Sequence, residues 1–120
     1  MKKILLIDDT VQILEELKDI LEMENYEIVT SSSAEEGLSQ IVLEIPDLII
    51  TDIQMSGISG LELVRNLRSY DGYKDIPVVI LTANVSRANV KEAKSLNMQG
   101  FLKKPCSIEE LLTMVDRAIN

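Results

Sequence analysis

The chain has 120 residues, 46% of them hydrophobic and 27% charged, which is room and composition for one domain with a real core. A net charge of −8 argues against sequence-independent DNA binding, which needs Lys and Arg to neutralise phosphates. The absence of histidine argues against a zinc site and rules out a Ser-His-Asp triad and any phosphohistidine of its own. The single cysteine, Cys106, rules out an internal disulfide and fits a reducing cytoplasm.

The first apolar run, Ile4–Ile7, stops at Asp8 after four residues. That is too short for the ~7–15 residues of a secretory h-region, and no stretch nears the ~18 of a membrane span, so no membrane insertion is expected. The run reads instead as a strand, Lys3–Ile7. Ile13, Leu14, Leu17, Ile20 and Leu21 then recur at helical spacing. A second strand is expected at Glu27–Thr30, and Ser33-x-x-Glu36 has the spacing of a capping box that opens the second helix. Leu48–Thr51 gives a third strand, and Leu61, Leu63, Val64 and Leu67 the stripe of a third helix. Val78–Thr82 is a fourth strand. Ser86–Leu96 follows as the weakest helical pattern, its few apolar residues small and spread out. Gly100–Lys103 completes the strands. Ser107-x-x-Glu110 opens a last helix carrying Leu111, Leu112, Val115 and Ile119.

ILLI, LIIT and VVILT are continuously apolar rather than alternating, the mark of parallel strands covered on both faces. Strand then helix, five times, predicts an α/β doubly wound parallel sheet with helices on both faces. Ligands of such sheets bind beyond the carboxyl ends of the strands. Five polar residues fall at or just past those ends: Asp8, Asp9, Asp52, Thr82 and Lys104.

Each has an ordinary reading alone. Asp8-Asp9 suits a helix N-cap, Asp52 the start of a turn with Ser56, Gly57 and Ser59, Thr82 a strand and Lys104 the surface. Together they put three carboxylates and one ammonium on one edge. Two carboxylates ~4 Å apart repel by roughly 4 kcal/mol at an effective dielectric of 20, so protonation or a metal must offset them. The donors are all oxygen, which points to a hard ion, Mg²⁺ or Mn²⁺. A carboxylate beside such an ion can act as a nucleophile and form an aspartyl phosphate.

The segments LLIDD, DLIITDIQMSGISG, VVILTA and GFLKKP, in this order and spacing, resemble the receiver domain of two-component response regulators over essentially the whole chain, 1–120. The resemblance implies a flavodoxin-like fold: a five-stranded parallel sheet of order 2-1-3-4-5 with five flanking helices. It implies Asp52 as phosphoryl acceptor, and Asp8, Asp9, Asp52 and the backbone carbonyl of Gln54 as Mg²⁺ ligands. Lys104 is implied to pair with Asp52 and then with the phosphoryl group, and Thr82 to give it a hydroxyl. Ala83 leaves space, and Phe101 falls at the aromatic switch position. A cis Lys104–Pro105 bond is also implied, in the one context where cis costs only about 0.5–1 kcal/mol. Ser56 stands after Met55 where the family usually has proline, and Gln54 and Asn84 occupy positions that tune phosphoryl lifetime.

The function implied is a cytoplasmic phosphoacceptor switch in a His-Asp phosphorelay, not a turnover enzyme on small molecules. Its phosphoryl donor would be an external phosphohistidine on a sensor histidine kinase or a histidine phosphotransfer protein. The output would be a changed protein-binding face on the fourth helix, fifth strand and fifth helix. The sequence stops where the fifth helix should, so the expected partner is a downstream protein target, with an output domain missing from an excised receiver as the alternative. Three rivals fare worse. A pseudo-receiver would not keep all five site residues. An FMN binder would need a hydroxyl- and glycine-rich loop where DDTVQ would repel phosphate. A haloacid-type phosphatase would need an aspartate at Gln54. Cys106 reads as a small, half-buried residue in preference to a redox-sensitive one.

Overall fold

Strand and helix alternate five times through residues 1–120 of the computed structural model: β1 (Lys3–Ile7), α1 (Val11–Met23), β2 (Glu27–Ser31), α2 (Ala34–Leu43), β3 (Leu48–Thr51), α3 (Gly60–Arg68), β4 (Val78–Thr82), α4 (Arg87–Ser95), β5 (Gly100–Lys103) and α5 (Ile108–Ile119). The five strands are parallel and lie in the order β2-β1-β3-β4-β5. This is the flavodoxin-like arrangement expected from the strand–helix alternation and the motif order.

The continuously apolar strands feed two cores, one on each face. Ile4, Leu6, Leu48, Ile50, Val79 and Leu81 pack with Leu14 and Leu21 of α1 and Leu111 and Val115 of α5. The intervening residues Leu5, Ile7, Ile49 and Val78 pack with Ala34 and Ile41 of α2 and Leu63, Val64 and Leu67 of α3. Successive side chains point to opposite faces, so a strand covered on both sides must be apolar at every position.

Local chemistry sets the helix ends. The Ser107 hydroxyl accepts from Glu110 N–H at 3.0 Å while the Glu110 carboxylate accepts from Ser107 N–H at 3.1 Å, a complete capping box. At α2, Ser33 accepts from Glu36 N–H at 3.1 Å, whereas the Glu36 carboxylate takes the Ser32 hydroxyl instead. α1 and α4 stop at asparagines with positive φ, 66° at Asn25 and 55° at Asn97. In each, the next residue donates back across the last turn, Tyr26 to Leu21 and Met98 to Ala93, both at 3.3 Å. That is the Schellman pattern with asparagine in the place glycine usually takes.

Two boundaries differ from the sequence reading. β2 continues one residue further, to Ser31, because Ser31 pairs with Ile7 and its carbonyl accepts Asp8 N–H at 3.1 Å. α4 runs from Arg87 to Ser95, with Ser86 and Leu96 as its caps and Ala93 its one buried residue.

Candidate functional site

The sheet register assembles the site. Ile7 pairs with Thr51, so the residues that follow, Asp8 and Asp52, leave β1 and β3 side by side. Asp52 N–H donates to the Ile7 carbonyl at 3.0 Å, and Lys104 N–H to the Thr82 carbonyl at 2.8 Å, which extends the ladder to the strand ends. Lys104 is thereby carried from β5 toward the two aspartates. Its peptide bond to Pro105 is cis.

Lys104 Nζ donates to Asp8 Oδ2 at 2.6 Å and to Asp52 Oδ2 at 2.9 Å. The Asp8 and Asp52 side chains are 5% and 13% exposed and the Lys104 side chain 17%, so this is a semi-buried cluster rather than a surface pair. Burial works against the Lys104 charge, but the hydrogen bonds to Asp8 and Asp52 and the charge of both carboxylates outweigh it and hold the ammonium pKa above its ordinary value. Main-chain donors take the other carboxylate oxygens: Thr10 N–H reaches Asp8 Oδ1 at 2.9 Å, and Ile53 N–H reaches Asp52 Oδ1 at 2.6 Å. Neither aspartate is the N-cap of α1. That place belongs to Thr10, whose side chain makes no capping bond.

Thr82 is buried, and its hydroxyl accepts Asn84 N–H at 3.2 Å. Asn89 of α4 in turn donates through its side chain to the Asn84 carbonyl at 3.3 Å. Ala83 is exposed and lines a groove of about 440 Å³ between α1 and the start of α5, with Lys104 and Pro105 along the same wall. Phe101 is half-buried against Ile53, Leu61 and Ile80, and so lies beside the residue that follows Asp52.

Asp8, Asp52 and Lys104 are thus directly bonded, and Thr82 sits at the end of the neighbouring strand. Asp9 and Gln54 are exposed and make no side-chain hydrogen bond. No three His, Cys, Asp or Glu side chains stand close enough to ligate one ion together. Lys104 fills the space between Asp8 and Asp52 that such an ion would share. The donor chemistry nevertheless fits a hard cation: Asp8, Asp9 and Asp52 carry three charges against one on Lys104, with only oxygen offered. Sequence reasoning did not find the Thr10 and Ile53 amides, because main-chain donors leave no residue-type signal.

Known proteins share this fold. The model of the response regulator receiver domain family matches residues 4–116. The phosphate regulon transcriptional regulatory protein PhoB of Pseudomonas aeruginosa is 34% identical over 111 residues, which are 92% of this chain and 48% of that protein. The chain spans about half the length of the curated relatives it matches. Among solved structures, the chemotaxis protein CheY4 of Vibrio cholerae superposes with a TM-score of 0.92 at 31% identity over 98% of each chain. The signal receiver domain of a signal transduction histidine kinase from Syntrophus aciditrophicus superposes with a TM-score of 0.91 at 30% identity, over 99% of this chain and 90% of that one.

Proposed function

The chain belongs to the response regulator receiver domain family, a family of phosphoacceptor signalling switches, and from that premise we propose that residues 1–120 act as a receiver domain phosphorylated at Asp52. The observation that carries this reading is the Lys104 ammonium shared between Asp8 and Asp52 at the carboxyl edge of the sheet.

The donor is an external phosphohistidine, since the chain has no histidine, on a sensor histidine kinase or a phosphotransfer protein. A carboxylate oxygen of Asp52 attacks phosphorus. A P–O bond forms, the P–N bond breaks, and the imidazole leaves with its electron pair and takes up a proton. The transition state is loose, with charge spread over the equatorial oxygens, so catalysis rests on positioning and on cations. Ile53 N–H fixes the Asp52 carboxylate. Lys104 then follows the charge from the carboxylate onto the phosphoryl group, and Thr82 turns its hydroxyl from Asn84 N–H to a phosphoryl oxygen. Ala83, with no side chain beyond Cβ, leaves that oxygen room.

Asp8, Asp9, Asp52 and the Gln54 carbonyl would hold Mg²⁺, or Mn²⁺, with Lys104 releasing Asp8 as Asp9 turns inward. The ion would supply positive charge for the equatorial oxygens. The domain works in the cytoplasm as a switch, with no turnover of small-molecule substrates. Its output is the face formed by α4, β5 and α5, read by a downstream protein or by an output domain of a longer chain. Rotation of Phe101 into the space that Thr82 vacates couples the two ends.

The test is phosphorylation by acetyl phosphate with Mg²⁺, followed by intact mass and site mapping. Wild type should gain one phosphoryl group at Asp52, and Asp52→Asn none. Phosphate mapped to Thr82 or Ser56 would refute the assignment.

A further inference from the structure

α4 has little apolar attachment. It buries only Ala93, whereas α3 buries Leu61, Leu63, Val64 and Leu67. A helix held so lightly needs another anchor, and the anchor here is polar and comes from α3. The Arg65 guanidinium pairs with the Glu92 carboxylate in the middle of α4. One turn further on, Arg68 Nε donates to the Leu96 carbonyl at 2.8 Å and Arg68 Nη1 to the Ile76 carbonyl at 2.9 Å. Leu96 is the C-cap of α4, where carbonyls lack helical partners and the helix dipole favours a cation. Ile76 lies two residues before β4. The planar fork of Arg68 therefore binds the end of α4 and the entry to a central strand at once, which an ammonium could not do with the same geometry.

The other end of α3 rests on the candidate phosphoacceptor. Gly60 N–H donates to the Ile53 carbonyl at 2.9 Å. A Cβ on Gly60 would stand 1.9 Å from the Asp52 carbonyl oxygen, so only glycine lets the first turn of α3 lie against the Asp52 main chain. Between these contacts runs a nine-residue helix, about 13 Å long at the usual rise, gripped along its length by the α2–α3 core. It is short and well packed enough to move as one body.

We propose that α3 is a second link between the site and the output face: Gly60 rides on the Asp52 main chain, while Arg65 and Arg68 tether α4 and set its position. The link deepens the reading of Asp52 as phosphoacceptor and rests on it. It touches the Thr82–Phe101 route at Leu61 of α3, which packs with Ile53, Ile80 and Phe101, but it reaches α4 through its own contacts at Arg65 and Arg68. Arg65 and Arg68 make no bond to Asp8, Asp52 or Lys104, which makes them positioning residues.

The experiment is amide exchange of residues 87–96 in the full chain, with and without beryllofluoride and Mg²⁺. The variants are Arg65→Ala, Arg68→Gln, Arg68→Lys and the swapped pair Arg65→Glu with Glu92→Arg. Loss of the two charge-assisted bonds in Arg68→Gln should speed basal α4 exchange at least tenfold, roughly. Arg68→Lys should fall between it and wild type. The exposed pair lost in Arg65→Ala should give only about two- to threefold, recovered in the swap. All variants should still take beryllofluoride at Asp52, but in Arg68→Gln the α4 response should shrink to less than half that of wild type. Basal α4 exchange unchanged in Arg68→Gln would overturn the tether. A full wild-type response to beryllofluoride in that variant would overturn the link. If wild type itself takes no beryllofluoride, the reading of Asp52 fails and the link falls with it, while the basal exchange of Arg68→Gln still decides the tether.

Discussion

At the scale of single residues, Lys104 is the group on which the site's electrostatics turn. Its ammonium compensates two carboxylates that would otherwise face each other with little solvent between them. Breaking a fully buried ion pair from one side costs about 3–5 kcal/mol, because a charge is left buried and unpaired. The partial exposure here reduces that figure, so Lys104→Met should lose about 1–3 kcal/mol in urea unfolding. Mg²⁺ should then stabilise Lys104→Met more than wild type, since it no longer competes with an ammonium for Asp8. An equal Mg²⁺ effect on both proteins would contradict the shared placement. Cys106 makes the opposite case, a reactive residue type kept quiet. Burial pushes its thiol pKa up, and the charge of Glu110 adds to the effect. The thiolate is the nucleophile, and raising the pKa leaves less of it at neutral pH. Alkylation of folded protein by iodoacetamide near pH 8 should therefore be slower than in urea. Equal rates would show that the thiol is not shielded.

At the scale of elements, a helix end is as strong as the bonds its cap makes. Ser107 caps α5 reciprocally with Glu110, while Thr10 stands at the N-cap of α1 with an idle side chain. Ser107→Ala should therefore cost about 1 kcal/mol, and Thr10→Ala less than about 0.5, measured by urea unfolding. Equal costs would mean that Thr10 contributes in another way. Much of this level was legible in the sequence. The apolar runs ILLI, LIIT and VVILT mark strands bounded by charge or polarity, and both Ser-x-x-Glu boxes fall at helix starts. The strand-end rule gathers Asp8, Asp52, Thr82 and Lys104 on one edge without any knowledge of side-chain direction. Direction is what it lacks: it could not tell that Asp9 faces water while Asp8 faces Lys104. It also missed Ser31 as a strand residue, because that pairing is fixed by Ile7 and Asp8 on another strand. The stops at Asn25 and Asn97 were readable in principle, as asparagine before an apolar residue suits a Schellman end. The grip of Arg65 and Arg68 on α4 was not, since it depends on two helices becoming neighbours.

The whole molecule divides into a stiff body and a lightly held part. Two cores lock β1, β3 and β4 between helix pairs, α1 with α5 and α2 with α3, and leave those strands with almost no exposed residue. α4 stands outside both arrangements, with one buried alanine, and β5 is an edge strand with Lys103 exposed. Opening free energies in a native protein run from near zero to the global value, and they follow such differences in burial. Amide exchange of the unmodified protein should thus be slowest in β1, β3 and β4, and α4 should be the fastest of the helices. A charge change at Asp52 cannot deform a close-packed body continuously; it can shift the population of an element with two nearly equal placements. On the proposed reading α4, with its single buried residue, is that element, and a few kcal/mol at the site would be enough to bias it. On adding beryllofluoride and Mg²⁺, the largest changes in protection should fall within residues 83–104, with β1 and α2 little altered. If they fall on α1 and α2 instead, with residues 83–104 unaffected, the output face is not α4, β5 and α5, and the lightly held helix has some other use.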